Sequence, residues 1–207
     1  GVMPCNETDD VLLATRDGKA IRFSVDAVRV FRGRDSTGVR GIRLLGNDRV
    51  VSMSVINDDA NQFILSVTEN GYGKRTPIDD YRRSGRGGQG VANIETSVRN
   101  GKVMASFSVV DDDQLMLVTN MGQVIRIRVH GSEGDSIRIA SRKTHGVRLF
   151  DVTDDENEKV VSAGIVRENE EDDDATPDDG SRSDAEHGAL VANTAADMDS
   201  EDTANEE

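Results

Sequence analysis

An eight-residue frame, T-x-x-G-x-x-x-R, recurs in this chain at Thr15, Gly18 and Arg22, at Thr68, Gly71 and Arg75, and at Thr119, Gly122 and Arg126, roughly 50 residues apart. A second frame, R-x-x-x-G-V, follows each copy: Arg34, Gly38 and Val39; Arg86, Gly90 and Val91; Arg142, Gly146 and Val147. Self-similarity at that period restricts the chain to folds made by repeating one supersecondary unit, because a unit so small cannot bury its apolar face alone. The repeat copies positive charge as well as shape, since both frames contain an arginine.

Each copy reads as four short antiparallel strands. In the first, residues 11–15 and 19–23 flank Asp17 and Gly18, and Asp-Gly between β-rich runs signals a tight hairpin whose two central residues take positive φ. Asn70–Gly71 and Met121–Gly122 stand at the same place in the other copies. In copy three Ile125, Ile127 and Val129 alternate with Arg126 and Arg128, the pattern of a half-buried strand. Copy two has Lys74, Thr76 and Pro77 there, which predicts a short or edge strand. A connection rich in Arg, Gly and Ser follows, then a third strand from Val39, Val91 or Val147. The fourth is predicted to turn Val51, Met53 and Val55 inward, with Val103, Ala105 and Phe107, and Val161, Ala163 and Ile165, as its equivalents.

Residues 10–166 contain no helical apolar period. The expectation is all-β: three four-stranded blades of an incomplete propeller-like wheel, at about 8–58, 59–112 and 113–166. Such a wheel needs at least four blades to close. Either further blades lie upstream of Gly1, the preferred reading, with this chain a fragment, or the three units form an open stack.

Charge divides the sequence a second way. The net charge is −14, yet residues 167–207 hold 16 acids and only 2 bases, while residues 1–166 hold 23 of each. The excess negative charge therefore belongs to a C-terminal tail, poor in aromatic and β-branched residues, which is expected to be disordered. Ahead of it the arginines cluster. Copy one has Arg22, Arg29, Arg32, Arg34, Arg40 and Arg43; copy two has Lys74, Arg75, Arg82, Arg83 and Arg86; copy three has Arg126, Arg128, Arg138, Arg142, Lys143 and Arg148.

Stacked blades would carry equivalent positions along one rim as a positive band. Guanidinium forks suit phosphate oxygens, and such a band would bind a nucleic-acid backbone without reading bases. The plainer alternative is a solvated face paired with nearby acids. The run R-R-S-G-R-G-G-Q-G at residues 82–90 is the second candidate, a pliable loop whose amides and guanidinium groups can approach a phosphate closely, or else a flexible connection.

Other chemistry is poorly represented. Cys5 is the only cysteine, so an internal disulfide is excluded, and His130, His145 and His187 lack ligand spacing. Asp111, Asp112 and Asp113 read as an acidic turn, and Tyr72 and Tyr81 as half-buried or stacking residues. No nucleophile, base and carboxylate arrangement suggests catalysis. No apolar run approaches the ~20 residues of a membrane span.

Three stretches carry a family resemblance: T-E-N-G-Y-G-K-R-T-P-I-D-D-Y (residues 68–81), T-G-V-R-G-I-R-L (residues 37–44) and the acidic tail. Residues 8–166 resemble the C-terminal domain of the DNA gyrase A subunit. The resemblance implies a β-pinwheel of six blade-like repeats whose positive rim wraps double-stranded DNA, this chain supplying the last three and the tail. It implies membership of an A2B2 complex, in which an absent N-terminal part joins the gyrase B subunit to two copies of the A subunit. That complex is a cytoplasmic, nucleoid-associated bacterial type II topoisomerase that negatively supercoils DNA, with no membrane partner.

ATP and Mg2+ would belong to the B subunit, and the DNA-cleaving tyrosine to the absent N-terminal part. The family's heptapeptide Q-R-R-G-G-K-G is matched at residues 84–90 by Arg86, Gly87, Gly88 and Gly90, with Gln89 in place of lysine. The loop thus resembles a degenerate copy of that element, for which only phosphate contact is implied. The DNA-contacting residues expected are Arg22, Arg34, Arg40, Arg43, Lys74, Arg75, Arg82, Arg83, Arg86, Arg126, Arg128, Arg142, Lys143 and Arg148, with no catalytic residue and no metal in this chain. The alternatives are the C-terminal domain of the topoisomerase IV A subunit and a non-enzymatic β-repeat scaffold for protein partners.

Overall fold

The structure, a computed structural model, describes residues 1–166 apart from Arg32, Arg34, 58–60, 132–135 and 153–156. The candidate Arg34 and the tail at 167–207 lie outside the described residues. The described residues form eleven strands: β1 (Asp10–Thr15), β2 (Lys19–Ser24), β3 (Val50–Ile56), β4 (Phe63–Thr68), β5 (Tyr72–Pro77), β6 (Val91–Ala92), β7 (Val103–Val109), β8 (Gln114–Thr119), β9 (Val124–Arg128), β10 (Val147–Arg148) and β11 (Val160–Val166). They make three sheets in the orders β3-β1-β2-β6, β10-β5-β4-β7 and β11-β8-β9. The expectation of an all-β, blade-like architecture holds.

The first frame is explained by its turn. Gly18 N donates to the Thr15 carbonyl at 3.1 Å, and Lys19 N to Thr15 Oγ1 at 3.2 Å. Thr119 repeats both bonds, to Gly122 N at 3.1 Å and Gln123 N at 3.2 Å. Only the glycine takes positive φ, at 82°, 75° and 86° in Gly18, Gly71 and Gly122. The expected pair of positive-φ residues is therefore corrected: one left-handed glycine after the turn suffices to reverse the chain.

The second frame docks one repeat onto the one before it. Val91 and Ala92 pair with Ala20 and Lys19, and Val147 and Arg148 with Gly73 and Tyr72. Copies two and three keep the four strands expected of each, but β6 and β10 join the preceding repeat's sheet instead of their own, which corrects the reading of each copy as a self-contained four-stranded sheet. The glycine makes this possible. A Cβ on Gly90 would lie 2.3 Å from the Ala20 carbonyl oxygen, and one on Gly146 would lie 2.6 Å from that of Gly73.

Among the described residues no strand begins at Val39. That segment has no preceding sheet among the described residues, and its Ile42 packs instead against Ile21 and Phe23. β5 also departs from expectation, being six residues long and buried over its first five. Pro77 occupies its last position, where a missing N–H costs little, and its polar side chains find partners in repeat three.

The cores lie between sheets. Leu12, Ala14 and Ala20 meet Ile64 and Tyr81, and Leu65 and Val67 meet Leu115, Leu117, Val129 and Ile137. Such side chains contribute roughly 1.5–3 kcal/mol each. The expected inward phase of the fourth strands holds in β7, where Val103 and Ala105 are buried and Phe107 packs on the core, and needs correction in β3 and at the start of β11. In β3 the buried residues are Ser54 and Ile56, while Val51, Met53 and Val55 are half-buried, the last two lining an open cavity of about 730 Å³ that β7 and β11 also line. In β11 a register shift between Val160 and Ser162 buries Val160 and leaves Val161 exposed.

Candidate nucleic-acid interface

Arg22 and Arg75, the frame arginines of repeats one and two, point into the joint with the following repeat. Arg22 donates through Nε to Asp10 Oδ2 at 2.7 Å and through Nη1 to the carbonyls of Ile78 and Tyr81 at 3.2 and 3.4 Å. Arg75, only 3% exposed, donates through Nε to the Ile137 carbonyl at 2.8 Å. It also pairs with Asp111 and lies 5.1 Å from the Phe63 ring centroid. Lys74 is fully buried and donates to the carbonyls of Ser141 and Arg142. The expectation that Arg22, Lys74 and Arg75 line an open band is therefore corrected. Their polar heads hold one repeat against the next, because the connection leading to the donated strand brings carbonyls needing donors.

The remaining candidates divide by partner. Arg83 pairs with the buried Asp10 carboxylate at 2.9 Å, and Arg148 with Asp151. Asp151 compensates Arg148, while the single Asp10 carboxylate is shared between Arg83 and Arg22. Arg126 is exposed and donates to Gln114 Oε1. Arg86 donates to the carbonyls of Ala27 and Arg40 at 3.0 and 3.3 Å, and Arg142 to that of Ala92 at 3.0 Å. A carbonyl orients a guanidinium without cancelling its charge. Arg40, Arg43, Arg82, Arg128 and Lys143 are exposed, with no side-chain partner among the described residues.

Backbone bonds bring four of these cations together. Gly87 N donates to the Gly41 carbonyl at 2.5 Å, and Arg43 N to that of Gly88 at 2.8 Å. The glycine-rich loop is thereby laid on residues 40–43, so Arg82 and Arg86 share one surface with Arg40 and Arg43. Beneath the loop a small cavity of about 150 Å³ is lined by Arg22, Arg82, Ser84, Gly85, Gly88 and Gln89 among others. Arg138, Arg142 and Lys143 lie on the equivalent connection of repeat three, which is carried on β5 by Arg75 N donating to the Arg138 carbonyl at 3.0 Å and Ala140 N to that of Arg75 at 2.8 Å.

One further cation is not marked by either frame. Arg99 is exposed, lies 5.0 Å from the Tyr72 ring centroid and donates through Nε to Tyr72 Oη at 3.2 Å. Together with Arg148 it holds the Tyr72 phenol below its ordinary pKa. The adjoining Asn100–Gly101, a turn signal, is the one local cue to it. Tyr81 is fully buried, donates to Asn93 Oδ1 at 2.5 Å and has its pKa raised, chiefly by burial. Its expected half-buried role is corrected to that of a core residue.

Comparison with known proteins gives a consistent result. The family model described as the DNA gyrase C-terminal domain, beta-propeller, matches residues 9–57, 62–109 and 113–167. The DNA gyrase A subunit of Salmonella typhimurium is 42% identical over 181 residues, covering 87% of this chain and 20% of that protein. Its counterpart from Rickettsia bellii is 36% identical over 217 residues, covering 83% and 23%. The chain thus spans under a quarter of the length of these relatives. Among solved structures, the C-terminal domain of DNA topoisomerase IV superposes with a TM-score of 0.68 at 25% identity, covering 77% of this chain and 47% of that one.

Proposed function

The chain belongs to the family of DNA gyrase C-terminal domains, and on that premise we propose that it is the part of the gyrase A subunit that binds and wraps duplex DNA. The observation that carries this reading is the group Arg40, Arg43, Arg82 and Arg86, which has no carboxylate partner among the described residues. Cations in that state keep their full charge for phosphates, and each phosphate neutralised releases condensed counterions. Binding is then tolerant of sequence and weakened by salt. Arg128, Arg142 and Lys143 extend the contact along repeat three. Bending a site of 20–30 base pairs costs on the order of 1–6 kcal/mol, which added phosphate contacts offset.

In the whole protein this part would lead a bent DNA segment toward passage through a cleaved duplex, as part of a bacterial A2B2 topoisomerase. ATP hydrolysis with Mg2+ would belong to the B subunit. The likeness to the topoisomerase IV domain supports a second reading, a related subunit that binds DNA without a strong wrap. Ligation of nicked circular DNA in the presence of the 207-residue chain separates the two. Wrapping leaves a change in linking number after the protein is removed. Binding with an unaltered linking number favours the second reading, and no binding at all contradicts both.

A further inference from the structure

Lys74 stands immediately before a frame arginine, where repeats one and three carry Ile21 and Ile125. The cross-strand neighbours differ in parallel: Leu13 faces Ile21 and Leu117 faces Ile125, but Ser66 faces Lys74. An ammonium has replaced an apolar side chain at a fully buried position. Burying it is costly. Its pKa is brought down to about 8, first by burial and then by the Arg142 guanidinium, with Asp80 acting the other way. Packing alone would be served by isoleucine, as it is twice in this same chain, so stability does not account for the lysine.

Its partners do. Nζ donates to the carbonyl oxygens of Ser141 and Arg142, the latter at 2.9 Å. These two residues lead directly into Lys143, and Arg142 itself reaches the Ala92 carbonyl of sheet one. Thr76 Oγ1 holds the adjoining Ala140 carbonyl at 2.9 Å. The corresponding loop of repeat two, docked on repeat one, is anchored differently, by backbone bonds from Gly87 to Gly41 and from Arg43 to Gly88, and Ile21 only packs beneath Gly88.

We propose that Lys74 is a positioning residue: its buried ammonium fixes the course of the repeat-three loop and so presents Arg142 and Lys143 to the phosphate backbone. This rests on the DNA-binding reading above. Lys74 touches no DNA itself. It acts by occupying two carbonyls that an apolar residue would leave without a donor.

The test is a double-mutant cycle on the 207-residue chain with a fixed duplex, comparing wild type, K74M, R142Q/K143Q and the triple variant. K74M is expected to keep the wild-type melting temperature yet lose about tenfold in affinity at moderate salt, with a shallower salt slope. The triple variant is then no weaker than R142Q/K143Q, because the loop's contribution is already gone. Backbone amide resonances of residues 140–143 shift in K74M without DNA. Lys74→Ile replaces K74M should methionine fail to fold. K74M binding as tightly as wild type, or losses that simply add, would overturn the inference alone. A wild-type chain that does not bind the duplex would overturn the functional reading, and the inference with it.

Discussion

Lys74 and Tyr81 share one buried neighbourhood and titrate in opposite senses. The folded Lys74 has a pKa of about 8, below its ordinary 10.5, so between those values the unfolded chain holds more protons and stability rises with pH. Tyr81 keeps its proton in the fold beyond its ordinary 10.0, so above that point stability falls as pH rises. Their joint contribution is expected to climb from about pH 8 and turn down above about pH 10. Denaturant unfolding at several pH values, with K74M and Y81F as references, checks this. Wild type must gain on K74M between those limits, and an unchanging difference would contradict the burial of a charged lysine.

At this scale residue type was legible in the sequence and direction was not. The recurrence of Arg22 and Arg75 suggested a shared external task. Their periodicity marks instead the place where each repeat must hold the next, and no residue spacing distinguishes a guanidinium aimed at a carbonyl from one aimed at solvent.

Among the elements, the hairpins were legible because the glycine and its threonine are close in sequence and act locally. The exchange of β6 and β10 between repeats was not. Nothing within residues 86–92 says whether Val91 pairs with its own sheet or the preceding one; that depends on which edge is open. The second frame nevertheless makes the exchange testable. Gly90→Ala forces a Cβ to 2.3 Å from a backbone oxygen at a φ of +72°, and is expected to cost at least ~2 kcal/mol and to release β6. Gly38→Ala, at the same place in repeat one, meets nothing within 4 Å and is expected to change stability by no more than ~0.5 kcal/mol. Thermal melts of both variants decide it. Equal effects would mean that the frame does not act through strand donation.

For the molecule as a whole, the separation of charge was the part most open to sequence reading. The tail's 16 acids against 2 bases give the same chain both a polyanionic segment and cations that have no carboxylate partner among the described residues. Competition for those cations is the expected consequence, so deleting residues 167–207 should tighten duplex binding at low salt and matter little at high salt. Unchanged affinity at low salt would remove that role. What composition could not show is which cations remain available. Arg83 and Arg148 have a carboxylate beside them where Arg82 and Arg86 have none among the described residues, and that is a property of the folded chain.

The salt dependence of duplex affinity tests this distinction most directly, measured for wild type, for R40Q/R43Q/R82Q/R86Q and for R83Q/R148Q. Each phosphate interaction removed should lower the slope of log K against log salt by about 0.9. The expected result is a slope reduced by about two to four in the first variant and hardly altered in the second. Equal reductions in both, or a wild-type slope near zero, would contradict a backbone grip made by cations left without carboxylate partners.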